Sequence, residues 1–459
     1  MPNAQPYAAR PPAEDAIQPL MPAVAGREVL RPGQNCWRAD AAGRAAVMID
    51  AAAYFTHLAE ALQGARRSIL IVGWDFDGEI RLRPDRADAE SLPLGELLRG
   101  LVEAHPELEV RILVWSAALV YGPGASWPLL RGAAWREHPR IHLRLDREHP
   151  IYAAHHQKLV VIDDAVAFVG GIDLTVRRWD TCGHDAADAR RVSYDGSTYG
   201  PVHDMQMAVD GAPARSLGEV ARDRWRMATG ETLAPPPPAE GDRWPAGLEP
   251  DFEDEAIAIA RTYPGWKGNP AVREAAALTR DMLRSARRHI YIEAQYLTAG
   301  YVCRILEASL ARSDGPEVLI VLTLSVDNLL EHLAMAGNGD RLIRRLRRAD
   351  RFGRLRVCYP VVPGADGKEC AVGVHSKLVV VDDTLLRIGS SNLNNRSIGL
   401  DTECDAAIEA ATPETRRAIA RLRDCLIAEH LGVAPAAFAA AMAETGSMLA
   451  AFDRLNGGP

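Results

Sequence analysis

No stretch of the 459-residue chain is apolar over the ~18 residues that a bilayer-crossing helix needs, so no transmembrane segment is expected. The opening stretch MPNAQPYAARPPAEDAIQPLMPAVAG has no basic segment followed by an apolar one, so no signal peptide is read there. Cytoplasmic residence is the resulting expectation, peripheral at a membrane at most, with export by a non-classical route left open. The seven cysteines, Cys36, Cys182, Cys303, Cys358, Cys370, Cys404 and Cys425, are scattered and form no C-x-x-C. That argues against a disulfide framework or a cysteine zinc site and for reduced thiols. An excess of basic charge is also missing. Lys and Arg number 53 against 61 Asp and Glu, for a net charge of -8. Nonspecific nucleic-acid binders usually carry a basic face, so no obligate nucleic-acid partner is expected. Hydrophobic content of 47% and charged content of 25% are ordinary for a folded chain, which argues against extended disorder.

What the chain does have is one plan written twice. ARRSILIVGWDFD (65–77) matches ARRHIYIEAQYLT (286–298), and EVRILVWSA (109–117) matches EVLIVLTLS (317–325). IHLRLD (141–146) corresponds to LRVCYP (355–360). HHQKLVVIDDAVAFVGGIDL (155–174) matches VHSKLVVVDDTLLRIGSSNL (374–393), and His156 and His375 lie 219 residues apart. In each half, patterns with helical spacing alternate with continuous β-branched runs, as strands buried on both faces require. The expected fold is α/β: two similar halves, each a mixed or mostly parallel sheet flanked by helices, related by a pseudo-two-fold with the active site at their interface. GETLAPPPPAEGDRWPAGLEPDFEDE (230–255) reads as a proline-rich, acidic linker. The division is an N-terminal extension expected to be poorly ordered (1–27), a first half (28–229), the linker, a second half (256–432) and a helical C-terminal tail (433–459). Two copies in one chain remove the need for a dimer, so a monomer is expected.

The repeated stretch carries the chemistry. Alternation along KLVVID puts His156 and Lys158 on one face, and the same holds for His375 and Lys377. Two imidazoles and two ammoniums brought into one cleft make a receptor for a tetrahedral, negatively charged group. One histidine can attack phosphorus while the other protonates the leaving oxygen, without any metal or cofactor. A single copy reads equally well as a structural histidine beside a solvated lysine. A second copy with His, Lys and Asp at the same spacing argues for chemistry. Asp163 and Asp382 lie five residues beyond the lysines, about 16 Å along a strand, and are expected to hold turns or arginines.

The pattern H-x-K-x-x-x-x-D, present as His156, Lys158, Asp163 and as His375, Lys377, Asp382, resembles the phospholipase D superfamily with its two HKD motifs. VGGIDLTVRRWDT and PVHDMQMAVDGAPARSLGEVARDRWR in the first half resemble its lipid-hydrolysing branch, and GSSNLNNRSIGLDTECD is similar to the block after its second motif. The resemblance spans roughly residues 28–432. It implies that His156 forms a phosphohistidine and that His375 acts as general acid and then activates water or an alcohol, the reverse assignment staying open. It implies that Lys158 and Lys377 bind phosphate with Asn392 and Ser390, with Asp173 standing where Asn392 would be in the first half. Asp204 and Glu403 would each hold a histidine. The implied reaction is hydrolysis of the distal phosphodiester of a glycerophospholipid, such as phosphatidylcholine, to phosphatidic acid and the headgroup alcohol, with transphosphatidylation permitted. The partner would be phospholipid at a membrane or micelle surface. A cardiolipin synthase-like phosphatidyltransferase, an HKD nuclease or phosphodiesterase, and a catalytically dead lipid-binding scaffold stay open. GWDFD and EAQYL are expected to rim the cleft with polar residues. The basic run RLIRRLRRADRFGRLR (341–356) reads as a solvated face or a lipid-docking one, and WSAALVYGPGASWPLLRGAAWRE (115–137) as a lid or a buried loop.

Overall fold

A computed structural model describes residues 29–86, 91–116, 134–193, 195–324, 329–364 and 367–457. The extension at 1–27 and most of the 115–137 stretch lie outside these residues. The first half contributes β1 (Arg38–Ile49), β2 (Ser68–Gly73), β3 (Glu109–Trp115), β4 (Ile141–Asp146), β5 (Leu159–Ile162), β6 (Val166–Gly170), β7 (Val202–His203) and β8 (Met205–Asp210). The second contributes β9 (Phe252–Tyr263), β10 (Val272–Arg273), β11 (His289–Ala294), β12 (Glu317–Leu322), β13 (Leu355–Cys358), β14 (Val361–Pro363), β15 (Glu369–Ala371), β16 (Gly373–Val374), β17 (Lys377–Val381), β18 (Leu385–Gly389) and β19 (Glu403–Glu409). The helices are α1 (Asp50–Gly64), α2 (Leu94–Ala104), α3 (Gly211–Thr229), α4 (Glu274–Ser285), α5 (Gly300–Leu310), α6 (Leu329–Ala349), α7 (Pro413–His430), α8 (Pro435–Thr445) and α9 (Met448–Leu455).

The fold is mixed α/β, and the halves share one sheet instead of building one each. Its path runs β13-β12-β11-β17-β18-β19-β9-β1-β8-β6-β5-β2-β3-β4, with β10 on β9. The two central strands are the long ones: β1 and β9 pair antiparallel and join the halves. Parallel pairing is confined to the outer strands β2-β3-β4 and β11-β12-β13. All other pairs in this sheet are antiparallel, so it is mixed but not mostly parallel. Continuous apolar runs report burial on both faces but not strand direction. Because β9 opens at Phe252, the last residues of the stretch read as linker, 252–255, already belong to the sheet.

Alternation divides each strand between two helix layers. Leu70 and Val72 of β2 and Leu378 and Val380 of β17 join one core with α3, α7, α8 and α9. Ile69 and Ile71 face a second core with α1 and α2, while Val379 and Val381 face a third with α4, α5 and α6. The expected C-terminal tail is thus helical and packed, with Phe438, Met448 and Phe452 buried. Proline at the first position and the Thr412 hydroxyl, which accepts the Thr415 amide at 3.1 Å, start α7. All seven cysteines are free. Among the described residues, no single helix is long and apolar enough to cross a membrane.

The motif aspartates sit at the far ends of their strands. The amides of Arg66, Arg67 and Ser68 donate to Asp163 at 3.0, 2.8 and 2.8 Å, and Arg243 pairs with it at 2.9 Å. The amides of Arg287, Arg288 and His289 donate to Asp382 at 2.6, 2.7 and 2.9 Å. Removing the Asp163 carboxylate orphans three amides and takes the ion-pair partner from Arg243. Asp163→Ala should therefore cost roughly 2–4 kcal/mol in denaturant unfolding, with near-normal turnover in the fraction that stays folded. Normal stability with abolished turnover would instead make Asp163 a chemical group.

Candidate active site

Two short parallel contacts between the halves build the site. Ahead of the first motif, the Thr402 amide donates to the Ala154 carbonyl at 3.0 Å and the His156 amide to the Thr402 carbonyl at 3.1 Å. Ahead of the second, β16 pairs with β7, and the His375 amide donates to the His203 carbonyl at 2.8 Å. Each motif histidine is thereby laid beside an acid of the other half. His156 Nδ1 is 2.9 Å from Glu403 Oε2, and His375 Nδ1 is 2.7 Å from Asp204 Oδ2. A carboxylate only accepts, so Nδ1 carries the proton in each ring and Nε2 is left for chemistry.

The two pairs are electrostatically unequal. Burial and the adjacent Lys158 and Lys377 hold His156 well below its usual range, and burial and Lys377 do the same to His375, so both rings are neutral at rest. Burial pushes the Asp204 carboxyl up, but His375, its hydrogen bond and Lys377 outweigh this and hold it below the usual range. Burial raises Glu403 to about 7 against the pull of its serine bonds and both lysines. Those serines are Ser390, which donates to Oε2 at 2.5 Å, and Ser397, which donates to Oε1 at 2.6 Å. Ser390 thus serves the carboxylate behind His156. Asp204 instead accepts the Met205 amide at 2.8 Å. A Cβ on Gly171 would collide with the Asp204 carboxylate, which is why the chain reads VGGID there.

Each lysine reaches back to the carbonyl of the histidine two residues before it. Lys158 Nζ donates to the His156 carbonyl at 3.1 Å and Lys377 Nζ to that of His375. Lys158 also pairs with Asp173 Oδ2 at 3.1 Å, while Asp173 Oδ1 accepts the Trp74 amide at 2.8 Å. Asp173 therefore neutralises a lysine. Asn392, its counterpart, gives its amide N–H to Ser397 Oγ at 3.1 Å and has a buried Oδ1 without a hydrogen-bond partner. Lys158 and Lys377 are both buried, and burial pulls Lys377 down to about 8, with Asp204 resisting and Lys158 adding to the shift.

The neighbouring features are mostly buried or paired. His155 is buried, 3.4 Å from Asp146 and 2.9 Å from the Thr402 hydroxyl. Asp75, Asp77 and Glu293 of GWDFD and EAQYL are buried and not on the rim. In the basic run, Arg345 pairs with Glu307 and Arg356 with Asp453. One group of residues escapes sequence reading altogether. Asp50, His184, His203, Glu293, Glu429 and His430 meet behind Asp204 in a buried imidazole–carboxylate cluster. They come from segments spread over almost the whole chain. The only local cues are that His203 precedes Asp204 and that Glu293 lies in a repeated strand.

Comparison with known proteins gives a family model described as Phospholipase D, which matches residues 361–447. Phospholipase D A of Dictyostelium discoideum is 23% identical over 470 residues, covering 84% of this chain and 35% of that protein. Phospholipase D2 of Bos taurus is 21% identical over 478 residues, covering 76% and 47%. These matches support membership of the phospholipase D superfamily. It spans roughly a third to a half of the length of these relatives. A solved phosphatidylserine synthase of Haemophilus influenzae has the same fold, with a TM-score of 0.58 at 15% identity over 85% of this chain and 88% of that one.

The two repeated His-x-Lys stretches converge here on buried ammoniums, and Lys377 is the one pulled down to about 8. Lys377 is cationic below about 8 and loses its charge above it. For a phosphodiester substrate, kcat/KM should then fall about tenfold per pH unit on the alkaline side. Lys377→Arg, whose guanidinium does not titrate in this range, should remove that limb at a lower absolute rate. A limb unchanged in Lys377→Arg would assign it to another group.

Proposed function

We propose that this chain is a phospholipase D. It hydrolyses the distal phosphodiester of glycerophospholipids, phosphatidylcholine among them, to phosphatidic acid and the headgroup alcohol. The observation that carries the reading is the crossed pairing of two neutral imidazoles, each oriented by the other half's carboxylate, beside two buried lysines. His156 Nε2 attacks phosphorus, and the bond to the headgroup oxygen breaks. The phosphodiester's negative charge offsets the lysines, so His375 takes up a solvent proton at Nε2 in the substrate complex and gives it to that oxygen. Neutral His375 then takes a proton from water, hydroxide attacks phosphorus, and the P–N bond to His156 breaks. The lysines and the side-chain NH2 of Asn392 balance the charge on the non-bridging oxygens. The inequality of the acids supports this order. The ionised Asp204 favours an imidazolium at His375, whereas Glu403 near 7 supports the neutral ring of a nucleophile. An alcohol in place of water would give transphosphatidylation.

Relatives named phospholipase D support the reading. So does the turn leading into the first motif, where Ile151 and Tyr152 are 85% and 80% exposed, five and four residues before His156. Large apolar side chains beside a catalytic mouth suit a substrate embedded in a lipid surface.

Choline release from phosphatidylcholine vesicles, with and without ethanol, tests the chemistry. The parent should release choline and, with ethanol, form phosphatidylethanol. His156→Ala and His375→Ala should each lose roughly 10⁴-fold or more. Product formed only with an alcohol acceptor would make the chain a phosphatidyltransferase, and cleavage of DNA without lipid turnover would make it a nuclease. The surface is tested separately with an Ile151→Ser/Tyr152→Ser double variant. It should raise the apparent KM on vesicles about tenfold while leaving a soluble short-chain phosphatidylcholine unaffected. Equal losses on both substrates would remove the lipid-contact role.

A further inference from the structure

The cluster behind Asp204 is arranged around a point, not along a line. We propose that Asp50, His184, His203 and Glu429 form a structural site for a divalent cation, with a donor set that suits zinc. Asp50 opens α1, His184 lies in the loop before β7, His203 is in β7 and Glu429 is in the last turn of α7. His203 Nδ1 lies 2.8 Å from Glu429 Oε1 and 3.1 Å from Asp50 Oδ1. His184 Nε2 lies 3.1 Å from Glu429 Oε1 and 3.7 Å from Asp50 Oδ2. All four donor atoms fall within 4.8 Å of one another. Metal–ligand bonds of 2.0–2.2 Å in a tetrahedron put neighbouring donors about 3.3–3.6 Å apart, the middle of this spread.

Two further observations point to an ion. First, both imidazoles have the nitrogen facing away from the shared point held by a carboxylate. His184 Nδ1 meets Asp180 at 2.9 Å, and Asp180 is itself fixed by Arg191 at 2.8 Å. His203 Nε2 meets Glu293 at 2.8 Å, and Glu293 also receives the Tyr291 hydroxyl at 2.6 Å and the Ser376 hydroxyl at 2.7 Å. A carboxylate on the outer nitrogen fixes the tautomer that turns a lone pair inward, the usual support of a metal-bound histidine. Second, Asp50 Oδ2 faces the shared point without a hydrogen-bond partner, and the Asp50 side chain is at least nine-tenths buried.

Four protein donors leave no open position, so the ion would be structural. Its place gives that role content. The Asp50 amide donates to the Asp204 carbonyl at 2.8 Å, and the His203 carbonyl accepts the His375 amide at 2.8 Å. A cation tying Asp50 and His203 to α7 would fix the acid and the backbone that aim His375. A neighbouring trio, His203, Glu293 and His430, is a weaker candidate, because Glu293 already accepts four donors. The competing closure of the same atoms is a pair of imidazoliums among carboxylates. The inference does not depend on which phosphodiester the cleft cleaves.

Elemental analysis of the untagged full chain, purified without chelator, distinguishes the two. The site predicts about one zinc per chain, as isolated or after incubation with equimolar zinc. Stripping should lower Tm by roughly 10 °C, and zinc should restore it. Cobalt in place of zinc should give the visible bands of a tetrahedral centre. His184→Ala and Glu429→Gln should each bring zinc below about 0.2 per chain. Less than a tenth of a zinc per chain after reconstitution, with Tm unmoved by chelator, would overturn the site in favour of the imidazolium network. Full zinc retention in both variants would overturn it too. Should neither variant fold, the cobalt spectrum of the unaltered chain decides, and absence of tetrahedral bands sinks the proposal.

Discussion

The placement of both repeated imidazoles depends on two hydrogen bonds that cross between the halves, His156 to Glu403 and His375 to Asp204. Neither half can orient its own imidazole. The constraint reaches outward from there. The stretch ahead of each histidine must run parallel to the stretch ahead of the opposite acid, which fixes the β16–β7 pairing and the contact of residues 154–156 with Thr402. The halves must then face each other at one separation, and the twelve-residue strands β1 and β9 supply it by zipping the two into a single sheet. Separation of the halves would leave Asp204 and Glu403 as buried carboxylates without their imidazoles, a costly state that opposes any loosening of this interface.

Duplication gives a symmetric frame, but the chemistry needs two unlike groups. The difference comes from what stands behind each histidine. Glu403 sits fully buried among hydroxyls and rises to about 7, whereas Asp204 receives a backbone amide and stays ionised. In the first half Asp173 neutralises Lys158; in the second, Asn392 stands at that place and carries no charge. The net positive charge of the cradle is therefore weighted toward Lys377. Burial has already weakened that lysine's hold on its proton, so its charge is best retained when an anion arrives beside it.

Much of this was legible before any coordinates, and the boundary of legibility has physical causes. The repeated His-x-Lys spacing announces two equivalent strand mouths because a period of two fixes which side chains share a face. The apolar runs announce strands covered on both sides. They carry no information on direction, which is why the antiparallel majority and the single shared sheet were not anticipated. Asp204 and Glu403 stand out by resemblance, but which acid serves which histidine depends on pairing between segments some 170 to 250 residues apart. Ser390 looks like a phosphate ligand in GSSNLN, yet its hydroxyl is committed to Glu403. The cluster of Asp50, His184, His203 and Glu429 is the least legible of all, since no two of its members share a local pattern.

The position of the motif aspartates then has a reason. Asp163 and Asp382 lie too far along the strand to touch phosphate, yet they recur at the same distance from the lysine in both copies. Each gathers three consecutive amides at the entry to the neighbouring strand, residues 66–68 at the start of β2 and 287–289 at the start of β11. Those bonds peg β5 against β2 and β17 against β11 at one end, while the histidine works at the other. A slip of one residue would turn every side chain of the strand over and send the imidazole into the helix layer. The motif is in this sense a ruler: its charged ends are set apart by one strand length, so that the register pinned at the aspartate decides where the histidine and lysine point.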